Sequence, residues 1–221
     1  MDKRRTERGQ GLLEMAVVLP VLLILMIGVV EIGYALRDYL IVVNANREGC
    51  RFAARGRFSD DRAGDRVVSA GGIVLQGDPA GEVPFLRTHG TERNTGIIIT
   101  HIPMSSTGDV AGYTTWVSGV IPSEAGGVQP IMAENSMITT TLPEIVERHR
   151  DSTQDINAMR QAAMYEPMDN HVVIVEVFFM HHPLWDNPLL PLPDPWMMHA
   201  QTEMRVITDR GGRTRRFSRT W

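Results

Sequence analysis

The sequence predicts an α+β protein in which a long N-terminal helix, half membrane-spanning and half amphipathic, packs on a small antiparallel sheet of about four strands. Three observations predict it. No charged residue lies between Met15 and Val30, a helix-periodic segment follows, and short β-branched runs bounded by Gly or Pro occur later. The chain of 221 residues is long enough for a folded head in addition to the helix.

The apolar run is long enough to cross a membrane. Positions 12–30 would extend roughly 28 Å as a helix, which matches one hydrocarbon thickness. Basic residues precede the run, so the N-terminus is expected in the cytoplasm and the rest of the chain across the membrane. The following sequence, "EIGYALRDYL", offers no small-x-small cleavage site, which argues against a removed secretory signal. Pro20 interrupts the run; it is either a functional kink or a proline of the kind that membrane helices tolerate.

Past Glu31 the helix becomes amphipathic. Apolar or small residues recur at alternating gaps of four and three, which predicts one buried stripe. The stripe comprises Ile32, Leu36, Tyr39, Val43, Asn46, Cys50 and Ala53. Cys50 is the only cysteine, so an internal disulfide is excluded, and its place on the stripe favours a core residue over a nucleophile.

The remaining sequence predicts an α/β head, a sheet covered on one face by helix. We expect a basic leader at 1–9, a membrane half of the helix at 10–31, an amphipathic half at 32–58, the head at 59–209 and a basic tail at 210–221. Within the head, the predicted helices are 59–72 and 142–165, the second either continuous or divided at Ser152, and the predicted strands are 96–103, 112–122, 171–180 and 198–208. The strand 171–180 is apolar on both faces and is expected in the middle of the sheet.

The N-terminal motif resembles that of TadE-like pseudopilins, the minor pilins of tight-adherence type IV pilus systems. The matching residues are Arg8, Gly9, Gln10, Glu14, Pro20, Gly28, Glu31, Gly33, Arg47, Glu48 and Gly49. Residues 171–207, with the Met204–Arg205 pair, resemble the closing hairpin of that family. Ile32 and Cys50 depart from the pattern, and residues 59–170 are not covered. The resemblance implies a pilin-like fold and a location in the bacterial inner membrane.

The resemblance also implies processing and assembly. A prepilin peptidase would cut after Gly9 and leave the amine of Gln10 as the new N-terminus. Glu14 would then pair with the amine of a neighbouring subunit, since a lone carboxylate in a bilayer costs a few kcal/mol. Otherwise Glu14 is an interfacial carboxylate. Glu31 is expected either at the solvated membrane boundary or in a second pairing role. The implied partners are other pilins, the inner-membrane platform protein of the pilus machine and lipid.

Other candidate sites carry weaker signals. His171, His181, His182 and His199, with Asp186 and Asp194, could ligate zinc or copper, but polar rim histidines explain them more simply. We therefore expect no cofactor. The Pro-rich segment 183–196 is a candidate partner contact through Trp185, Leu189, Leu190 and Trp196. The net charge of −4 argues against a nucleic-acid binder.

The sequence thus predicts a non-catalytic role in assembling or priming a tight-adherence pilus, with links to adhesion and secretion. No G-x-S-x-G, H-E-x-x-H or phosphate-binding loop is present. The alternative is a membrane-tethered binding or enzymatic domain that uses residues 9–57 only as anchor and stalk.

Overall fold

The structure, a computed structural model, describes residues 3–54, 86–88, 93–110, 112–123, 127–184 and 194–208. The predicted helix 59–72 and the basic tail 210–221 lie outside these residues. Helix α1 extends over Lys3–Phe52 and α2 over Leu142–Ala162. The strands are β1 (Thr95–Met104), β2 (Thr114–Pro122), β3 (Val128–Pro130), β4 (Asp169–His181) and β5 (Trp196–Thr208).

Helix α1 has 50 residues and is therefore roughly 75 Å long. It begins at Lys3, within the predicted basic leader 1–9, because the segment from Lys3 to Arg8 contains neither Gly nor Pro and is composed largely of helix-favouring residues. The helix continues through Pro20. A single long helix at the N-terminus is confirmed.

The sheet has five strands in the order β3-β2-β1-β4-β5, one more than predicted. The additional strand is β3, whose three exposed residues carry no alternating apolar pattern. Strand β1 runs antiparallel to both β2 and β4, with Ile99 opposite Trp116 on one side and Val175 on the other. Strand β4 is an inner strand, as the sequence predicted.

The head core lies on both faces of the inner strands. On one face, Ile102, Val172 and Ile174 pack with Ile138 and with Ile145 of α2. The side chains of β1 and β4 that point to the other face of the sheet are buried as well. The sequence had predicted that helix covers only one face of the sheet. Cys50 is fully buried, and its thiol lies 3.4 Å from the carbonyl oxygen of Thr202. A core role for Cys50 is therefore confirmed.

Helix α2 is one continuous helix, and the division considered at Ser152 does not occur. Ser152 lies in the helix interior, where its hydroxyl accepts a hydrogen bond from the guanidinium of Arg205 on β5. Thr141 occupies the N-cap position and Pro143 the first turn, where a missing N–H is tolerated.

The chain divides into two compact units. The first unit comprises Met1–Tyr39 with His181–Trp196, and the second comprises Leu40–Met180 with Met197–Trp221. Glu14, Glu31 and Trp196, which the sequence singled out, belong to the first unit.

Candidate functional site: the N-terminal helix and its buried acid–histidine cluster

The first part of α1 presents apolar side chains on all sides. Every side chain from Gly11 to Leu23 is exposed, and Leu12 retains 73 % of its accessible surface. The most apolar stretch of the helix has a mean hydropathy of 2.8, and 6 % of it is buried within the protein. Such a surface is unfavourable in water, and a single helix of this length and composition is compatible with a single-pass membrane anchor.

Glu14 projects from this apolar surface. Its side chain is exposed, and no residue in the described part of the chain forms a hydrogen bond or an ion pair with it. Gly9 and Gln10 lie five and four residues earlier in the same helix. The fold of one chain therefore leaves the carboxylate of Glu14 available to another molecule.

Glu31 is in a different environment. It retains only 6 % of its accessible surface, and its two carboxylate oxygens share a bifurcated hydrogen bond, at 3.0 and 3.2 Å, from the backbone N–H of Leu184. The expected solvated position of Glu31 was therefore wrong. The physical reason is that segment 181–184 supplies a donor for a carboxylate that would otherwise be costly to bury.

His181 joins Glu31 to a second buried acid, Asp38. The imidazole Nδ1 lies 2.8 Å from a carboxylate oxygen of Asp38, and Nε2 lies 3.8 Å from one of Glu31. Asp38 and His181 retain 2 % and 1 % of their accessible surface. We call Glu31, Asp38 and His181 the buried acid–histidine cluster. Its contacts hold His181, the last residue of β4, against α1 within the first unit.

Aromatic rings surround the imidazole of His181. The ring of Tyr34 lies 5.5 Å away, and that of Trp196 meets it edge-on at 6.4 Å. Trp196 itself is half exposed. The other three proposed contact residues, Trp185, Leu189 and Leu190, lie outside the described residues.

The first part of the predicted buried stripe was wrong. Ile32, Leu36 and Tyr39 are exposed, whereas Glu31, Ala35 and Asp38 face inward. The prediction assigned the apolar side chains to the core, but two acids are buried there instead. The backbone N–H of Leu184 donates to Glu31, and His181 contacts one oxygen of Asp38, whose Oδ1 has no hydrogen-bond partner among the described residues. Farther along, Asn46, Cys50 and Ala53 are buried as predicted.

Asp38 and its link to His181 are the features that sequence reasoning missed. Glu31 and Asp38 are seven residues apart, which places two acids on one face of a helix. That spacing was a usable signal. His181 could not have been chosen as their partner from the sequence, because 143 positions separate it from Asp38.

The four histidines near the last hairpin do not converge on one site. His182 pairs with Asp194 at the surface, His199 lies 3.3 Å from Glu176, and His171 stacks on His101. Asp186 lies outside the described residues. Within the described part of the chain, no three potential ligands are grouped as a metal ion requires.

The second unit contains a buried acid in its core and a half-buried pair of histidines. Glu176 is fully buried and accepts hydrogen bonds from the hydroxyl of Ser136 and the backbone N–H of Met137. His101 and His171 stand on neighbouring strands with their ring nitrogens 2.7 Å apart. Burial, with a smaller contribution from the adjacent His171, lowers the pKa of His101 to about 4. Burial also lowers the pKa of His171, while Asp169 opposes that shift.

Comparison with known proteins links the N-terminal helix to a family. Residues 9–51 match the family model described as TadE-like protein. The N-terminal segment is therefore similar to that family. The resemblance inferred from the motif is confirmed over this segment, which contains Glu14, Glu31 and Asp38. No curated protein and no solved structure matches the chain. The resemblance of residues 171–207 to the closing hairpin stays a prediction.

Proposed function

We propose that this protein is a minor pilin or pseudopilin that takes part in assembling or priming a tight-adherence pilus through packing of membrane helices. The TadE-like segment 9–51 supports a pilus-associated role. The single observation that carries the proposal is the exposed carboxylate of Glu14 on an otherwise apolar, exposed helix surface.

In the proposed mechanism, an ion pair between neighbouring subunits sets the relative position of their helices. A prepilin peptidase cuts after Gly9, and the new amine of Gln10 lies near the membrane boundary. The carboxylate of Glu14 is unfavourable in the bilayer until the amine of a neighbouring subunit pairs with it. Pairing offsets the desolvation of both charges only where the two helices are in the correct register.

The remaining site residues have supporting roles in this proposal. Pro20 gives the membrane helix a point at which it can bend. Glu31 fixes segment 181–184 against the helix at the membrane boundary. The proposed contact residues for fellow pilins or for the inner-membrane platform protein are Trp185, Leu189, Leu190 and Trp196.

The test is Glu14→Gln, which removes the charge and keeps the size and shape of the side chain. We expect a large loss of surface pili, with the protein present in the membrane at its usual level. Glu147→Gln is the matched control, since Glu147 is an exposed helical acid of the head. Wild-type piliation in Glu14→Gln would contradict the proposed pairing.

The alternative function, a tethered binding or enzymatic domain, makes a different prediction. Glu14→Gln would then leave its activity unchanged, because residues 9–57 would serve only as anchor and stalk. The described residues of the head give this alternative no supporting cluster of metal ligands.

A further inference from the structure

Two histidines on neighbouring strands of the head meet through their ring nitrogens. His101 lies on β1 and His171 on β4, and the strand register places Val173 opposite His101 and Pro103 opposite His171. The two histidines are therefore diagonal neighbours on one face of the sheet, where their rings are within reach of each other. We call them the histidine pair.

The geometry of the histidine pair places two ring nitrogens on one line. Nε2 of His101 lies 2.7 Å from Nδ1 of His171, the ring planes are parallel, and the ring centroids are 5.0 Å apart. This separation of the centroids equals the distance between the nitrogens plus the radii of both rings. The centroids and the two nitrogens are therefore nearly collinear, and each nitrogen points at the other.

A single hydrogen bond joins the two rings in this arrangement. In a neutral imidazole one ring nitrogen carries the proton and the other accepts, so one of the facing nitrogens donates to the other. When that proton moves to the outer nitrogen of its own ring, both facing nitrogens have free lone pairs. The pair can then supply two ligands without losing a proton.

The surroundings keep both imidazoles in the neutral form that ligates metal ions. Burial lowers the pKa of His101 to about 4, with a smaller contribution from His171. Burial also lowers the pKa of His171, and the negative charge of Asp169, two residues earlier on β4, opposes that shift. Protons therefore do not compete for the pair at neutral pH, and the carboxylate of Asp169 favours a cation beside His171.

We propose that the histidine pair binds one Cu⁺ ion in a linear, two-coordinate geometry. Imidazole nitrogen is a suitable ligand for copper, and Cu⁺ accepts two collinear ligands. Zn²⁺ prefers four tetrahedral ligands, and Cu²⁺ prefers a tetragonal set. Within the described residues no three potential ligands are grouped, so the pair suits the ion that needs only two.

Binding requires a small opening of the pair. At a metal–nitrogen distance of about 2.0 Å, two collinear nitrogens are separated by roughly 4 Å, compared with 2.7 Å in the structure. Both histidines are half-buried, so neither ring is enclosed on all sides. Rotation about the side-chain bonds can therefore supply the difference while β1 and β4 stay paired.

The test is Cu⁺ binding by the full chain in detergent micelles, measured without oxygen by competition with a colorimetric Cu⁺ chelator. His101→Gln and His171→Gln each remove one ligand. His182→Gln is the matched control, because His182 is an exposed histidine that pairs with Asp194. X-ray absorption of the Cu⁺-loaded wild-type chain identifies the ligand atoms and separates nitrogen from the sulfur of Cys50 and of the methionines.

We expect one Cu⁺ ion per wild-type chain, held by two nitrogen ligands. Each of the two ligand variants should weaken binding at least about tenfold, since even the loss of an indirect contact to a metal ligand costs that much. His182→Gln should bind as the wild type does. Three results would overturn the proposal: no stoichiometric binding, sulfur ligands in the absorption spectrum, or undiminished binding by the two ligand variants. The spectrum of the wild-type chain decides the matter even where a variant fails to fold, and no outcome depends on the proposed role of Glu14.

Discussion

Removing the imidazole of His181 should destabilise the protein far more than removing its exposed neighbour, His182. Both histidines lie close to a carboxylate, at 2.8 Å from Asp38 and 2.6 Å from Asp194. The side chains of the first pair are 2 % and 3 % exposed, and those of the second are 62 % and 60 % exposed. The two substitutions therefore compare a buried pair with a surface pair on adjacent residues.

The magnitudes follow from burial. His181→Ala leaves the carboxylates of Glu31 and Asp38 buried without the imidazole, and breaking such a pair costs about 3–5 kcal/mol. His182→Ala removes a solvent-screened pair worth roughly 0–1 kcal/mol. For a protein of this size, we expect the melting temperature to fall by about 6–20 °C in the first variant and by about 4 °C or less in the second.

The assay is thermal unfolding of the full chain in detergent micelles, followed by circular dichroism. A variant with Glu31→Gln, Asp38→Asn and His181→Ala together removes the stranded charges and should recover part of the loss. Equal melting temperatures for His181→Ala and His182→Ala would refute the reasoning, as would a triple variant less stable than His181→Ala alone.

The head should lose stability in acid. An unfolded His101 binds its proton near pH 6.5 and the folded one near pH 4, so the unfolded state holds more protons between these values. Its contribution is fully present above pH 6.5 and falls by up to about 1.4 kcal/mol per pH unit as the pH drops toward 4. His101→Gln should flatten this dependence in denaturant titrations at pH 4.5 and 7, while the exposed His182→Gln should not; parallel profiles for all three proteins would contradict the assignment. Gly119→Ala should also destabilise the head by roughly 3 kcal/mol or more, because φ is +94° and the new Cβ would overlap the carbonyl oxygen of Thr95. Gly127→Ala, at φ +78° in open space, should cost only about 1 kcal/mol, and similar losses for both in urea unfolding would argue against the clash.

Local patterns were sufficient to predict most of the fold. The apolar run and the absence of a proline between Pro20 and Arg57 predicted α1, and β-branched runs with flanking Gly and Pro predicted β1, β2 and β4. Strand β3 was missed because three exposed residues carry no periodic signal. The continuity of α2 at Ser152 was left open because the residue that engages its hydroxyl, Arg205, lies 53 positions away.

The candidate site could be predicted only for residues whose role is evident from the neighbouring sequence. Glu14 could be singled out from the sequence because a carboxylate is unusual within an apolar run. Glu31 and Asp38 could not be assigned to the interior, since their burial depends on His181 and on the backbone of Leu184. Hydrophobicity alone therefore placed Ile32, Leu36 and Tyr39 on the wrong face.

The most direct test of pilin-type assembly is the intact mass and N-terminal sequence of the protein purified from its native membranes. Processing by a prepilin peptidase predicts a chain that begins at Gln10, with a free or methylated amine available to the Glu14 carboxylate of a neighbour. A chain that begins at Met1, in cells whose prepilin peptidase is active, would leave Glu14 without its proposed partner and contradict pilin-type assembly.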